Sequence, residues 1–188
     1  MSNTVDQSGA HAGEDIVAGN KEVHYHLSGE IKSDGVVAQL LQKLRAEMDG
    51  NDKIKHTVEN LQFFYNHIAG DGVVGLEAKL IAAQRKAEII TAFAKKEHFA
   101  KLLETWSLYA SAQEIFAYFL ARAEHEFSMF VLPKLGELQP AEINQLINDK
   151  IVLPTITECG TSVFTLNHTA VMGMVYWLAE QCFVRWNE

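Results

Sequence analysis

The sequence has few of the residues on which several specialised protein classes depend. Its two cysteines, Cys159 and Cys182, do not form a CxxC pair, which argues against a disulfide framework and against a cysteine-based zinc site. No apolar run is long enough to cross a bilayer, and the first residues lack the apolar stretch of a signal peptide. These features predict a cytoplasmic protein.

Clustered positive charge is also scarce. The longest basic run is the pair Lys95-Lys96, and the formal net charge of the 188 residues is −8. Proteins that bind nucleic acid or anionic membranes place lysine and arginine together on one face. The acidic balance therefore argues against direct, general nucleic-acid binding and against a membrane partner.

The motifs of familiar catalytic sites are missing. The sequence has no phosphate-binding glycine loop, no nucleophile elbow and no helical zinc or di-iron signature. His24 and His26 would share one face of a short strand, but a third metal ligand would have to come from elsewhere. We predict no catalytic residue, no cofactor and no metal site. The alternative is a small metal-dependent hydrolase with its site in the N-terminal arm, which comprises residues 1–35.

Residues 1–35 differ from the rest of the chain. Five glycines separate short polar and β-prone pieces that contain too few apolar residues for a core. This pattern predicts a Gly-rich connector, which is either a flexible tail or a short β-element that pairs with another chain through its strand edges. On the second interpretation, the apolar side chains of the arm bind a partner: Ile16, Val17, Val23 and Tyr25.

Helical periodicity begins after the arm. Apolar stripes from Val36 to Met48 and from Ile54 to Ile68 predict two amphipathic helices. Pro140 suits the first position of a later helix that Pro154 kinks or ends, and Asn167 suits the N-cap of the last helix.

The longest patterned stretch runs from Leu76 to Phe130 without proline or glycine, and it predicts a central helical spine. Its rhythm slips near residues 95–98, and the capping-box pattern Ser111–Glu114 marks a possible second helix start. The first half of the seam is rich in alanine, and the second half is rich in large aromatic residues. Gln113 is the only polar member of that second half, so we expect it to lie within an aromatic core.

These patterns predict an all-α protein. Residues 36–188 would form a single helical domain of about six helices around the long central spine. Short β-elements are expected near both ends, and those near the C-terminus are residues 163–166 and 183–186. The exposed aromatic surface and the strand edges favour a homo- or hetero-oligomer over a monomer.

The closing segment, from Gly173 to Trp186, resembles the end of the C-terminal domains of ABC three-component systems. Such domains often finish with a Gly-Met-aromatic-Leu helix, then a cysteine and a short Arg-Trp-like strand. Residues 111–127 followed by Pro133 are similar in kind, and residues 6–21 resemble the Gly-rich connector that precedes such domains. Phe183 departs from the pattern, which has a histidine there. We expect this segment to pack on the body, with Tyr176 and Trp186 at least half buried and Gly173 at a close helix approach.

The resemblance implies a non-enzymatic adaptor of a bacterial anti-phage or anti-plasmid system of the Lamassu type. Its partners would be an effector component and an SMC-like ABC ATPase component, with Tyr176, Arg185 and Trp186 joining the arm residues at the contacts. No effector domain precedes the connector in this sequence, which leaves open a standalone adaptor, a piece separated from its effector, or a relative with another role. A plain homo-oligomeric helical scaffold is a further alternative.

Overall fold

The computed structural model describes residues 35–65 and 72–186. These residues fold into helices, as the all-α prediction requires, and in chain order the helices are α1 (Val36–Gly50), α2 (Glu59–Gln62), α3 (Leu76–Ala82), α4 (Ile89–Trp106), α5 (Ala110–Glu126), α6 (Pro140–Ile147), α7 (Leu153–Cys159) and α8 (His168–Glu180). Residues 1–34 of the predicted arm, which was expected to span residues 1–35, lie outside the described residues. The separation of the arm from a helical domain therefore stays a prediction.

Helix α8 lies at the centre of the core. Nine of its 13 residues are buried, because its sequence is apolar on nearly every face. The side chain of Asn167 caps it, accepting a hydrogen bond from the Ala170 N–H at 3.0 Å, which confirms the predicted N-cap. Helix α4 packs along α8, and α3, α5 and α7 also contact α8.

The predicted spine was wrong as one continuous element. Residues 76–126 form α3, α4 and α5, and the first break comes at residues 83–88 rather than at residues 95–98, which α4 crosses without interruption. Gln84 ends α3 in the left-handed region, with φ of 59°, a position that glycine usually occupies. The alanine-rich seam therefore stops at the break, and Ile90, one of its predicted members, is 86% exposed.

The aromatic half of the seam is confirmed on α5. Five successive members are buried along one face of that helix and its extension, Gln113, Phe116, Leu120, Ala123 and Phe127, whereas the last predicted member, Phe130, is 42% exposed. The predicted helix start near Ser111 is correct to within one residue, but the capping box is wrong. The Ser111 hydroxyl instead donates to Glu47 of α1 at 2.7 Å, so it joins two helices.

Gln113 is buried with all of its amide groups used. It accepts a hydrogen bond from the Val58 N–H at 2.7 Å and donates to the carbonyl oxygens of His56 and Ser107 at 3.1 and 2.6 Å. The Ile54 N–H also donates to the Leu108 carbonyl at 2.9 Å. These bonds hold residues 54–58 in a non-helical path, so the helix predicted from Ile54 begins only at Glu59.

Pro140 begins α6 as predicted. The chain then passes through a π-turn at Asn148–Val152 into α7, and this helix ends before Gly160, whose φ is 55°. Pro154 therefore does not end the helix. The wider π-turn lies where a regular α-helix would need the N–H that proline lacks.

Neither predicted C-terminal strand forms. Phe164 and Leu166 are buried while Thr165 between them has a φ of 50°, and Val184 and Trp186 are buried in the same alternating way. The pattern of alternate burial was correct, but the described residues offer these segments no strand to pair with. The β-element predicted near the N-terminus lies outside the described residues.

A Schellman motif turns the closing segment back onto the helices. Cys182 has a φ of 66° and its N–H donates to Ala179, while the Phe183 N–H donates to the Leu178 carbonyl at 2.8 Å. This turn directs Trp186 into the core.

Two reciprocal contacts join the ends of α3 and α8. The Glu180 carboxylate accepts a hydrogen bond from the Leu76 N–H, at the start of α3, at 2.8 Å. The buried Lys79 ammonium donates to the Ala179 carbonyl, at the end of α8, at 2.6 Å. Each helix therefore satisfies a terminal backbone group of the other. The negative Glu180 carboxylate lies at the N-terminus of α3 and the positive Lys79 ammonium at the C-terminus of α8, and both placements are favoured by the helix dipoles.

Candidate partner-binding site

The closing segment is held by a buried polar cluster. The Arg85 guanidinium is 6% exposed, donates to Glu88 at 2.9 Å and to the Asn144 side chain, and lies 5.6 Å from the centre of the Trp186 ring. The rings of Tyr176 and Trp186 are 5.5 Å apart. The cation–π contact of Arg85 with Trp186, the hydrogen bond of Arg85 to Asn144 of α6 and the ring contact of Trp186 with Tyr176 of α8 together fix the last described residues to α6 and α8.

A small polar cleft opens beside this cluster. It measures about 230 Å³ and is lined by Lys95, Asn144, Asn148, Val152, His168, Met172 and Tyr176. No group of three or more histidine, cysteine, aspartate or glutamate side chains converges on a metal position within the described residues.

A larger groove lies on another face of the protein. We call it the α1–α5 groove. It measures about 590 Å³, and its lining residues come from α1, from α2 with the 3₁₀ turn that follows it, and from α5: Val36, Leu40, Glu59, Asn60, Phe63, Phe64, Glu114, Ala117, Tyr118, Ala121 and Glu124. The walls are mainly apolar and the polar residues are mostly acidic.

The sequence builds this groove from a second stripe on α5. Glu114, Ala117, Ala121 and Glu124 follow one another at steps of three, four and three residues, beside the aromatic seam. The two alanines leave space that a larger side chain would fill. Phe63 overhangs this space with 63% of its surface exposed, because its neighbour Phe64 occupies the core below it.

The rim of the groove is negatively charged. Glu59, Glu114 and Glu124 form no ion pair with lysine or arginine within residues 35–65 and 72–186. Two of them accept hydrogen bonds from uncharged side chains: Asn60 donates to Glu114 at 2.8 Å and Ser128 donates to Glu124 at 3.1 Å. These carboxylates therefore keep their charge available for a basic group.

The one arginine of α5 is already engaged. Arg122 pairs with Glu158 of α7, and the Tyr118 hydroxyl donates to the same carboxylate at 3.0 Å. Burial, followed by the hydrogen bond to Glu158, raises the pKa of the Tyr118 phenol above its usual value. Tyr118 therefore stays neutral and adds an aromatic wall to the groove without offsetting its negative charge.

A family match covers most of the structure described above. The family model of C-terminal domain 9 of the ABC-three component (ABC-3C) systems matches residues 75–186. The chain belongs to this family. The match begins at the residue before α3 and ends at Trp186, so the resemblance of the closing segment to such domains is confirmed. No curated protein and no solved structure matches the chain significantly.

The ABC-3C domain buries two of the residues predicted to bind partners. Tyr176 and Trp186 are each 5% exposed, as expected of a segment that packs on the body, while Arg185 is half-buried. Their assignment to a partner contact stays a prediction. The other proposed contact residues, Ile16, Val17, Val23 and Tyr25, lie outside the described residues with His24 and His26.

The sequence interpretation missed the α1–α5 groove. Two signals pointed to it: the second stripe on α5 and the adjacent pair Phe63-Phe64, of which a short helix can bury only one ring.

None of the helices in the described residues is both long and apolar enough to span a membrane.

The buried Tyr176 phenol makes the ABC-3C domain sensitive to alkaline pH. Burial, with the Glu88 carboxylate as a smaller cause, raises the pKa of Tyr176 to about 12. Since the folded pKa lies above the unfolded value near 10, the resulting stability is complete below pH ~10 and is lost as the pH rises to ~12.

We predict that Tyr176→Phe removes this component of the pH dependence. The free energy of unfolding of the native protein should fall between pH 10 and 12 by up to ~1.4 kcal/mol per pH unit more than that of the variant. Chemical denaturation across this range measures the difference, and parallel curves for the two proteins would contradict it.

Proposed function

We propose that this chain is a non-enzymatic adaptor of an ABC-3C system that binds an effector component and an SMC-like ABC ATPase component and keeps them in one assembly. The observation that carries the proposal is the family match over residues 75–186. A role in bacterial defence against phages or plasmids, cytoplasmic localisation and assembly as a homo- or hetero-oligomer belong to the same proposal.

The chemistry of the described residues supports an adaptor. The charged and polar side chains buried most deeply are used to join helices: Lys79 binds a helix end, Arg85 binds Glu88 and Asn144, and Gln113 binds backbone groups. The larger concave surface is apolar with an acidic rim, which suits another polypeptide better than a small polar substrate.

The test is co-purification from cells that express the chain with the components encoded beside it. We expect the tagged full chain to recover the ATPase component and the effector in a fixed ratio, seen by size-exclusion chromatography with light scattering. Recovery of a homo-oligomer with neither component would favour the scaffold alternative and contradict the adaptor.

The purified full chain should show no turnover in nuclease, peptidase and nucleotidase assays with added divalent metals. Activity that disappears in His24→Ala and His26→Ala would favour the hydrolase alternative instead. The matched control is His98→Ala, which changes an exposed histidine on α4.

A further inference from the structure

We infer that the α1–α5 groove binds an amphipathic helix of another protein, one that inserts apolar side chains between α1 and α5 and carries lysine or arginine beside them. This inference names the kind of partner for the adaptor function proposed above and rests on it. A groove between helices is a common receptor for such a helix, which presents its apolar residues on one face.

The apolar part of the inference comes from the exposed groove walls. Phe63 and Val36 are 63% and 54% exposed, Ala121 is exposed, the half-buried Leu40 continues the wall, and the buried Ala117 forms the floor of the groove. Exposed aromatic and aliphatic side chains gathered around one concave surface are typical of an interaction site, whereas single exposed apolar residues are ordinary. The volume of about 590 Å³ leaves room for several inserted side chains.

The basic part of the inference comes from the rim. Glu59 lies on α2, and Glu114 and Glu124 lie on α5 ten residues apart, so the carboxylates border the groove on two elements and over its length. None of them pairs with a basic side chain in the described part of the chain. A helix with lysine or arginine next to its apolar face would meet these charges in register.

The same charges disfavour two other occupants. Residues 1–34 of this chain contain six carboxylates and two lysines, so they are acidic themselves. A second copy carries a net charge of −8, and a symmetric contact through this groove would bring two acidic rims together. Juxtaposed like charges suppress wrong partners, which leaves a basic partner as the best match.

The groove is also partly outside the family match. Its α5 wall lies within residues 75–186, but α1 and α2 precede residue 75. The partner helix therefore contacts a wall that the domain family supplies and a wall that this chain adds. Specificity for one partner would come from the added wall.

A pair of labelled helical peptides tests the inference on the full chain. Both peptides carry the same leucine face; one has lysine at the flanking positions and the other has glutamate. By fluorescence anisotropy at low salt we expect the lysine peptide to bind about 10-fold more tightly or better, because several exposed ion pairs add and the glutamate peptide is repelled. Equal binding of the two peptides would overturn the charge argument.

Two variants locate the binding. Glu114→Lys with Glu124→Lys should reverse the peptide preference. The control, Glu97→Lys with Glu104→Lys, makes the same change of charge at exposed positions of α4 and should keep the lysine preference. Loss of preference in both variants would show general attraction to an acidic protein and would overturn the assignment to the groove.

A photo-crosslinker identifies the occupant directly. The substitution Phe63→p-benzoylphenylalanine places a reactive ketone over the groove in the full chain. Crosslinking to the lysine peptide supports the inference, whereas efficient crosslinking to residues 1–34 or to a second copy, undiminished by the peptide, overturns it.

The outcome separates this inference from the adaptor proposal. Peptide binding in the groove without co-purification of the ATPase or effector would retain the groove and remove the adaptor. Co-purification that is unchanged by Glu114→Lys with Glu124→Lys would retain the adaptor and remove the groove as its contact.

Discussion

Phe116→Asp will leave the protein without a cooperative unfolding transition. Phe116 is 1% exposed in the middle of α5, and its ring lies 5.9 Å from that of Phe99 and 5.0 Å from that of Phe164. Removing such a ring alone costs about 3–5 kcal/mol. Burying a carboxylate that has no partner adds several kcal/mol more.

The sum approaches or exceeds the whole stability of a domain, which is about 5–15 kcal/mol. We therefore expect aggregation or a sharply reduced helical signal in circular dichroism, with no thermal transition. Phe127→Asp should act in the same way, since that ring packs edge-on against Trp186 at 5.7 Å and anchors the closing segment.

Two variants make this expectation specific. Phe63→Asp introduces the same charge on a ring that is 63% exposed, so it should stay folded and soluble. Phe116→Leu keeps an apolar side chain and should fold with a lowered midpoint. A soluble Phe116→Asp protein with native helix content and a cooperative melt would show that α5 is not the structural centre we describe.

The aromatic seam was predictable because its signal is local and redundant. Five successive seam positions from Gln113 to Phe127 are buried as the spacing predicts. The break at Gln84 was not predictable, because the chain takes a left-handed turn there without glycine. That turn is fixed by tertiary contacts: Arg85, the next residue, is anchored on Glu88 and Asn144, and the second of these comes from a distant helix.

The C-terminal strands failed for a related reason. Alternating burial at residues 164 and 166, and at 184 and 186, has the period of a strand, but a strand also needs a neighbour for its backbone groups. The sequence alone does not say whether such a neighbour exists. The Schellman turn at Cys182 satisfies the helix end instead and sends Trp186 inward.

The groove could be read from the sequence only in part. The stripe on α5 and the Phe63-Phe64 pair are visible in the sequence, but their meeting depends on the non-helical residues 54–58 being bonded to the α4–α5 turn. Gln113 fixes that path through two hydrogen bonds to the distant backbone of His56 and Val58, and a third bond ties it to the nearby Ser107 carbonyl. The spacing therefore predicted that Gln113 is buried, but not which backbone groups its side chain binds.

The contact of α4 with α8 predicts a large cost for a single methyl group. In Gly173→Ala the new Cβ would lie 2.2 Å from the carbonyl oxygen of Lys95 and 2.8 Å from its carbonyl carbon. Both atoms belong to the backbone of α4, so no side-chain rotation relieves the clash. The two helices must separate along the most extensive interface of the core.

Two effects of opposite sign compete in this variant. Alanine favours a helix over glycine by about 1 kcal/mol, whereas an added methyl in a packed interface costs up to ~3 kcal/mol, and more where, as here, backbone atoms clash. We expect the clash to win and the melting temperature to fall by roughly 5 °C or more. Thermal and chemical denaturation of the full chain measure both quantities.

Gly50→Ala is the matched control for this prediction, because it isolates the helix-propensity term. Gly50 is the last residue of α1, and its added Cβ would meet only the side chain of Asp52, at 2.8 Å. That side chain is exposed and free to rotate away, so this variant should change stability by less than ~1 kcal/mol. If Gly173→Ala is as stable as Gly50→Ala, the backbone of α8 does not approach α4 as closely as the structure shows. A large loss confined to Gly173 means that the narrow space between α4 and α8 requires glycine at this position, and that a larger residue there pushes the two helices apart.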